Sequence, residues 1–191
     1  MTGQDKKSRN GAFWAKALER AHLGVWDWDL RTGECFYSAP WARMLGYDAR
    51  ELANTSDMWL PLTHPDDRER ALASGDRHIA GQTDAIETEL RLRHKAGHWV
   101  WVLDRGVIVE RDASGKPVRL MGVQTDISKQ KAAEAELEQV NVRFRLALAA
   151  SGTGIWHHDV DTNKSYWDQR TRDIFGLVSD TDEVTDELWH T

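Results

Sequence analysis

Apolar and polar positions change period several times along this chain, and each change marks an element. From residue 12 to 22, Phe13, Trp14, Ala17, Leu18 and Ala21 recur three and four apart, with Lys16, Glu19 and Arg20 on the other side. That spacing predicts an amphipathic leading helix. The period then drops to two: Trp26, Trp28 and Leu30 alternate with Asp27 and Asp29, Thr32-Gly33 turns the chain, and a second short strand runs from Glu34 to Ser38. This is a hairpin, and its alternation sends both indoles to one face and both aspartates to the other.

Residues 40–80 return to helical spacing through Trp41, Met44, Leu45, Leu52, Ala71, Leu72 and Ile79, which predicts several short helices. The start of the last is legible. Pro65 suits the first helical position, and Asp66 and Asp67 bring negative charge to the first turn, where the helix dipole favours it. From residue 84 the period is two again, with Ile86, Thr88, Leu90 and Leu92 opposite Glu87, Glu89, Arg91 and Arg93. Turns at Lys95-Ala96-Gly97 and Asp112-Ala113-Ser114-Gly115 then join strands expected at His98 to Arg111 and Pro117 to Ile127, so three antiparallel strands follow one another. In the middle strand Trp99, Trp101 and Leu103 share one face, and Val100 and Val102 the other. Both faces of this strand are therefore expected to be covered, by the leading helix, the last helix or a second subunit.

Sliding the chain by 130 positions aligns Ala17–Pro61 with Ala147–Thr191 and matches Ala17, Leu18, Gly24, Trp26, Asp29, Thr32, Gly46, Thr55 and Trp59, nine of 45 residues. Composition alone gives roughly three. A period this long denotes tandem domains. Residues 1–11, polar and without apolar spacing, are expected to be disordered. A first domain is expected at 12–128, a linking helix at 129–150, and at 151–191 the front part of a second domain that stops short of its meander.

Composition narrows the class. The chain has 191 residues, 40% hydrophobic and 29% charged, one cysteine and a formal charge of -6. Mixed charge without a basic stripe argues against nucleic-acid binding. No segment has the apolar length of a membrane span or a secretory leader, so no membrane contact is expected in this segment and a cytoplasmic location is. Cys35 alone supports neither a disulfide framework nor a multi-cysteine zinc site. His157 and His158 are strand neighbours that point apart, so no metal site is expected.

Taken together, the runs GVWDWDLRTGECFYS, HPDD, ELRLRHKAGHWVWVLDRG and GVQTDISKQKAAEAEL resemble the PAC-containing branch of the PAS family over about residues 12–140, and GIWHHDVDTNKSYW repeats the opening. The resemblance implies an α+β fold: a five-stranded antiparallel sheet in spatial order 2-1-5-4-3, short helices over one face enclosing a pocket, and flanking amphipathic helices. It also implies that Asp126-Ile127-Ser128, similar to the family's Asp-Ile-Thr signature, relays strain from sheet to exit helix. The plainer reading is a helix cap, which needs the same residue types. Pocket candidates are Trp26, Trp28, Trp59, His78 and Trp101, although a tryptophan is more often core filling than a ligand contact.

The family's flavin adducts need a cysteine on a middle helix, and Cys35 lies on the second strand, so an adduct is excluded at this level. Haem-binding members use a histidine of the last core helix. His78 falls near that helix's end without aligning, and haem is not expected, because a lone histidine is more often surface or core. An unidentified small ligand remains open. No nucleotide-binding loop, kinase, cyclase or hydrolase motif is present, so the chain is expected to be a non-catalytic sensor module. Its output domain would lie elsewhere in a parent histidine kinase, diguanylate cyclase or phosphodiesterase. Alternatives are a dimerisation scaffold without ligand and a small-molecule enzyme with an α+β pocket. Leu137, Val140, Phe144 and Ala147, spaced three and four apart on the linking helix, form either a coiled-coil seam of a homodimer or the packing stripe of a helix folded back on its own domain.

Overall fold

The computed structural model describes Phe13, residues 16–176 and the backbone of residues 183–184. The expected disordered segment 1–11 and Trp14 lie outside the described residues. The chain divides into two compact units, Met1–Ala132 and Ala133–Thr191. In the first, residues 16–20 are helical. Then come β1 (Gly24–Asp29), β2 (Cys35–Tyr37), α1 (Ala39–Met44), a 3-10 turn (Ala49–Glu51), α2 (Trp59–Leu62), α3 (Pro65–Ile79), β3 (Ile86–Arg93), β4 (Trp99–Arg111) and β5 (Pro117–Asp126). Helix α4 (Ser128–Ser151) follows.

The five strands form one antiparallel sheet in the order β2-β1-β5-β4-β3, the order that the family resemblance implied. Its inner face carries Trp26, Tyr37, Ile86, Leu90, Leu92, Val100, Val102 and Leu120, which close a core with Trp41 and Leu45 of the α1 segment. The local chemistry explains each helix start. Ser38 Oγ accepts from the N–H of Trp41 while also accepting from Val25 N–H at 2.9 Å, so one hydroxyl caps α1 and fastens it to β1. His64 Nδ1 accepts from Asp66 N–H at the start of α3, with Pro65 in the first turn. The α2–α3 corner is stitched to the edge strand: Thr63, fully buried, bridges Leu92, and His64 N–H donates to Arg91 O at 2.8 Å.

The second unit contains β6 (Trp156–Asp159), β7 (Lys164–Trp167), α5 (Gln169–Phe175) and β8 (Glu183–Val184), with sheet order β6-β7-β8. It repeats the opening of the first unit at an offset of 130 in detail, not just in outline. Ser38 N–H donates to Val25 O and Asp168 N–H to Ile155 O, each at 2.9 Å. A Cβ on Gly24 would strike Trp41, and one on Gly154 would strike Thr171, the equivalent position. Gly46 and Gly176 both end their helices with positive φ, at 77° and 69°, a conformation that side chains other than glycine's resist. The matched Thr185 and Trp189 lie outside the described residues.

On the outer sheet face, where the sequence left the leading helix, the exit helix or a second subunit open as cover, the exit helix contributes Lys131 and the edge strand contributes two arginines. Trp99 and Trp101 lie beneath cations. Arg93 sits 5.7 Å above Trp99, and Arg91 and Lys131 sit 5.1 and 5.6 Å from the Trp101 ring. Long basic side chains can lay their stems on apolar rings while keeping their charge in water.

Candidate functional site

Between the inner sheet face and helices α2 and α3 lies a cavity of about 320 Å³, lined on the sheet side by Trp26, Trp28, Cys35, Tyr37, Ile86, Thr88, Leu90, Asp104 and Gln124. Trp59, Leu60, Ala71, Gly75 and Ile79 form the helical wall, and the exposed Asp57, Leu72 and Asp76 mark the mouth. This volume is at the small end for a ligand pocket. A second hollow of about 410 Å³ lies at the β4–β5 turn, rimmed by Arg31, Glu110, Asp112 and Lys116. Its rim is charged, and none of the described residues lining it has a buried polar side-chain atom short of a partner.

Strand register explains how the indole of Trp26 is accommodated. Trp26 stands opposite Gly122, which stands opposite Gly106. A Cβ on either glycine would run into the Trp26 ring. The indole therefore crosses two neighbouring strands at positions without side chains, and its Nε1 donates to Asp104 Oδ1 at 2.7 Å. The next row inward is polar: Gly24 pairs with Gln124, Gln124 with Asp104 and Asp104 with Thr88. Gln124 Oε1 accepts from the fully buried Trp41 Nε1 at 2.7 Å, and the Gln124 side chain also hydrogen-bonds Asp104.

Burial raises the Asp104 carboxyl to about 6 against the opposing pull of its hydrogen bonds from Trp26 and Gln124. Part of its surface remains accessible, and that part faces the cavity that it lines. Desolvation also raises the Cys35 thiol and the Tyr37 phenol, so both are protonated at neutral pH. The buried Nε1 of Trp28 has no hydrogen-bond partner.

Of the sequence candidates, Trp26, Trp28 and Trp59 meet at this cavity, while Asp27 and Asp29 face outward to Arg119 and Arg31. His78 and Trp101 do not line it. His78 is buried but committed: Nδ1 donates to Thr83 O at 2.8 Å, and Nε2 accepts from the N–H of Ile108 at 3.0 Å, just beyond the Ile86–Gly106 pair where the β3–β4 ladder ends. Trp101 lies on the outer face, because the parity that puts Val100 and Val102 inside puts Trp101 outside. Asp104 and Gln124 escaped the sequence reading. The missed signal was parity: continuing Val100 and Val102 by two reaches Asp104, and continuing Leu120 and Gly122 by two reaches Gln124.

Trp101 is instead the fastening of the exit helix. Its carbonyl accepts from Ile127 N–H at 2.9 Å, and its N–H donates to Ser128 Oγ at 3.0 Å. Asp126 Oδ1 accepts from Ser128 N–H at 2.8 Å, as a local cap. Lys131, above Trp101, also pairs with Glu89 at 2.7 Å. The other cation on that ring, Arg91, forms a two-pronged pair with Asp67 of α3 at 2.8 and 2.9 Å. A chain of contacts thus runs from the cavity-wall helix through Asp67, Arg91 and Trp101 to the first turn of α4. Farther along that helix, Leu137, Val140 and Phe144 are each more than half exposed and Ala147 is exposed. Val142 and Leu146 are also exposed, off that seam.

A mixed-order antiparallel sheet with a helix-roofed inner cavity and a helix leaving its last strand defines a small α+β sensor-module class, and the comparisons agree. Residues 34–124 match the family described as PAS fold, and the first unit is a PAS domain. The solved sensory box histidine kinase/response regulator from Burkholderia thailandensis is 29% identical, with 69% of this chain and 97% of that one covered at a TM-score of 0.60. Among curated proteins, the probable diguanylate cyclase DgcE of Escherichia coli is 29% identical over 71% of this chain, and the two-component sensor PprA of Pseudomonas aeruginosa 28% over 69%. The chain spans only 12% and 14% of those two proteins. Its relatives are signal-transduction proteins, and the matched part is a PAS sensor module. No helix among the described residues is long and apolar enough to cross a membrane.

Proposed function

We propose that this chain is the sensory segment of a larger signalling protein, a histidine kinase or a cyclic-dinucleotide enzyme, in which a small ligand in the Trp26–Trp28–Trp59 cavity biases the exit helix. The observation that carries this reading is the continuous contact from cavity wall to exit helix through Asp67, Arg91 and Trp101. Asp126, Ile127 and Ser128 act in it as the hinge, and Leu137, Val140, Phe144 and Ala147 as the seam of a parallel homodimer. Residues 151–191 open a second PAS domain, supported by the hydrogen bonds and glycine contacts repeated at an offset of 130. Haem and a flavin adduct are left out of the reading. Both His78 ring nitrogens are engaged by backbone groups, and the Cys35 thiol, on β2, is kept protonated by burial.

An enzymatic reading would need a second acid–base group converging on Asp104, and the other titratable groups on the inner wall, Cys35 and Tyr37, are held neutral. The test uses the full-length parent. Inserting one residue near Gln139 turns the seam by about 100° and should disturb output, whereas inserting seven restores its phase and should largely preserve output. Equal signalling from both insertions would overturn the mechanism.

A further inference from the structure

The wall of the cavity specifies the charge of what it holds. Among the described residues that line it there is no lysine, arginine or histidine, whereas three carboxylates do line it: Asp104 on the inner wall, and Asp57 and Asp76 at the mouth. Four aromatic rings, of Trp26, Trp28, Tyr37 and Trp59, line it beside aliphatic and neutral polar side chains. Asp104 differs from the other buried carboxylate of the first unit. Asp67 is matched by two guanidinium groups, from Arg91 and Arg70. Among the described residues, Asp104 has only neutral donors, the Trp26 indole and the Gln124 amide, and no cation acts on it.

A carboxylate removed from water without a counter-charge is costly, and a partner cation relieves the cost. Aromatic faces attract cations as well, most strongly in a desolvated site. An anionic ligand would instead meet the same carboxylates with nothing to neutralise it.

We propose that this cavity binds a small organic cation, an aryl or alkyl ammonium, whose charged head pairs with the Asp104 carboxylate and whose body lies against Trp26, Trp28 and Trp59. The proposal rests on the sensory reading of the cavity and adds the ligand's chemistry. About 320 Å³ suits a ring with a short ammonium tail rather than a dinucleotide-sized molecule. Asp57 and Asp76 give the mouth a field of the same sign, which draws in cations and repels anions.

The test titrates the whole chain by calorimetry with three probes of one shape: phenethylamine, 2-phenylethanol and phenylacetate. The amine should bind at least about tenfold more tightly than the alcohol, and the acid should not bind. In Asp104→Asn, the amine's affinity should fall to that of the alcohol, with the alcohol unchanged. If the amine and alcohol bind equally, or if Asp104→Asn leaves the preference intact, the cationic class is overturned while the cavity survives as a ligand site. If none of the three binds at millimolar concentration, the sensory reading of the cavity falls with it. Should Asp104→Asn fail to fold, the ratio of amine to alcohol affinity on the unmodified chain still decides.

Discussion

At the scale of the residue, two features of the inner sheet make opposite demands on stability. The Trp26 indole requires bare positions at Gly106 and Gly122, and a Cβ at Gly122 would also strike the carbonyl oxygen of Arg105. Gly122→Ala should therefore cost about 1 to 3 kcal/mol in a denaturant melt, as overpacking does. Gly75→Ala, in α3 with nothing within 4 Å of its added Cβ, should gain up to about 1 kcal/mol from helix propensity. Asp104 makes a demand that depends on pH. Its folded-state value of about 6 stands above the ordinary aspartate value of 3.8, so the group favours folding most below about pH 4, and that contribution disappears as pH rises through about 6. Asp104→Asn does not titrate. Between pH 4 and pH 8 its stability relative to the unmodified protein should rise by up to about 3 kcal/mol, as read from paired melts. A constant difference would mean that the carboxyl is not strained by burial.

At the scale of the element, the cavity helix and exit helix share fastenings on neighbouring strands. The Asp67 side chain is only 5% exposed, but it is shielded by guanidinium groups rather than by dry apolar matter, and Arg91 draws its carboxyl down to about 2. A lowered folded-state pKa gives stability that is present above about pH 4 and lost as pH falls towards 2. Asp67→Asn should cost about 2 kcal/mol at pH 7 and almost nothing near pH 2. At the other end, Ser128→Ala removes the acceptor of the Trp101 N–H. Its expected cost is about 1 kcal/mol, with faster amide exchange concentrated at Trp101 and in the first turn of α4. Exchange that stayed slow there would detach Ser128 from the fastening.

At the scale of the whole chain, the two units show what the same opening motif achieves with and without a full sheet around it. Trp26 is 7% exposed beneath β5 and β4, whereas its counterpart Trp156 is 53% exposed on β6, an edge strand among the described residues. A hairpin and one short helix bury too little apolar surface to stand firmly alone. Amides of β6 and β7 should therefore open at a cost below about 2 kcal/mol, while those of β4 and β5 report the global stability of the first unit. Uniformly slow exchange across both units would contradict this. On α4, Leu137, Val140 and Phe144 form one stripe, with Val142 and Leu146 outside it. If that stripe is a dimer seam, changing Leu137 and Phe144 to charged residues should weaken self-association in sedimentation, and the same change at Leu146 should not.

The amino-acid pattern alone determined the strands, the start of α3 at His64-Pro65-Asp66-Asp67, the inward face of β1 and the repeat at 130 positions, whereas the sheet order was implied only by the family resemblance. These depend on local spacing and turn chemistry, which a short stretch of chain carries by itself. It also set the parity that buries Asp104 and Gln124, although the meaning of that parity appears only when distant strands are laid side by side. Trp26 and Asp104 are 78 residues apart and hydrogen-bonded. Tertiary structure alone decided that Trp101 anchors the exit helix, that His78 accepts from the Ile108 backbone N–H, and that cations cover the outer tryptophans. A residue's spacing along the chain gives the face it occupies, but which groups meet it there is set by the register between strands remote in sequence.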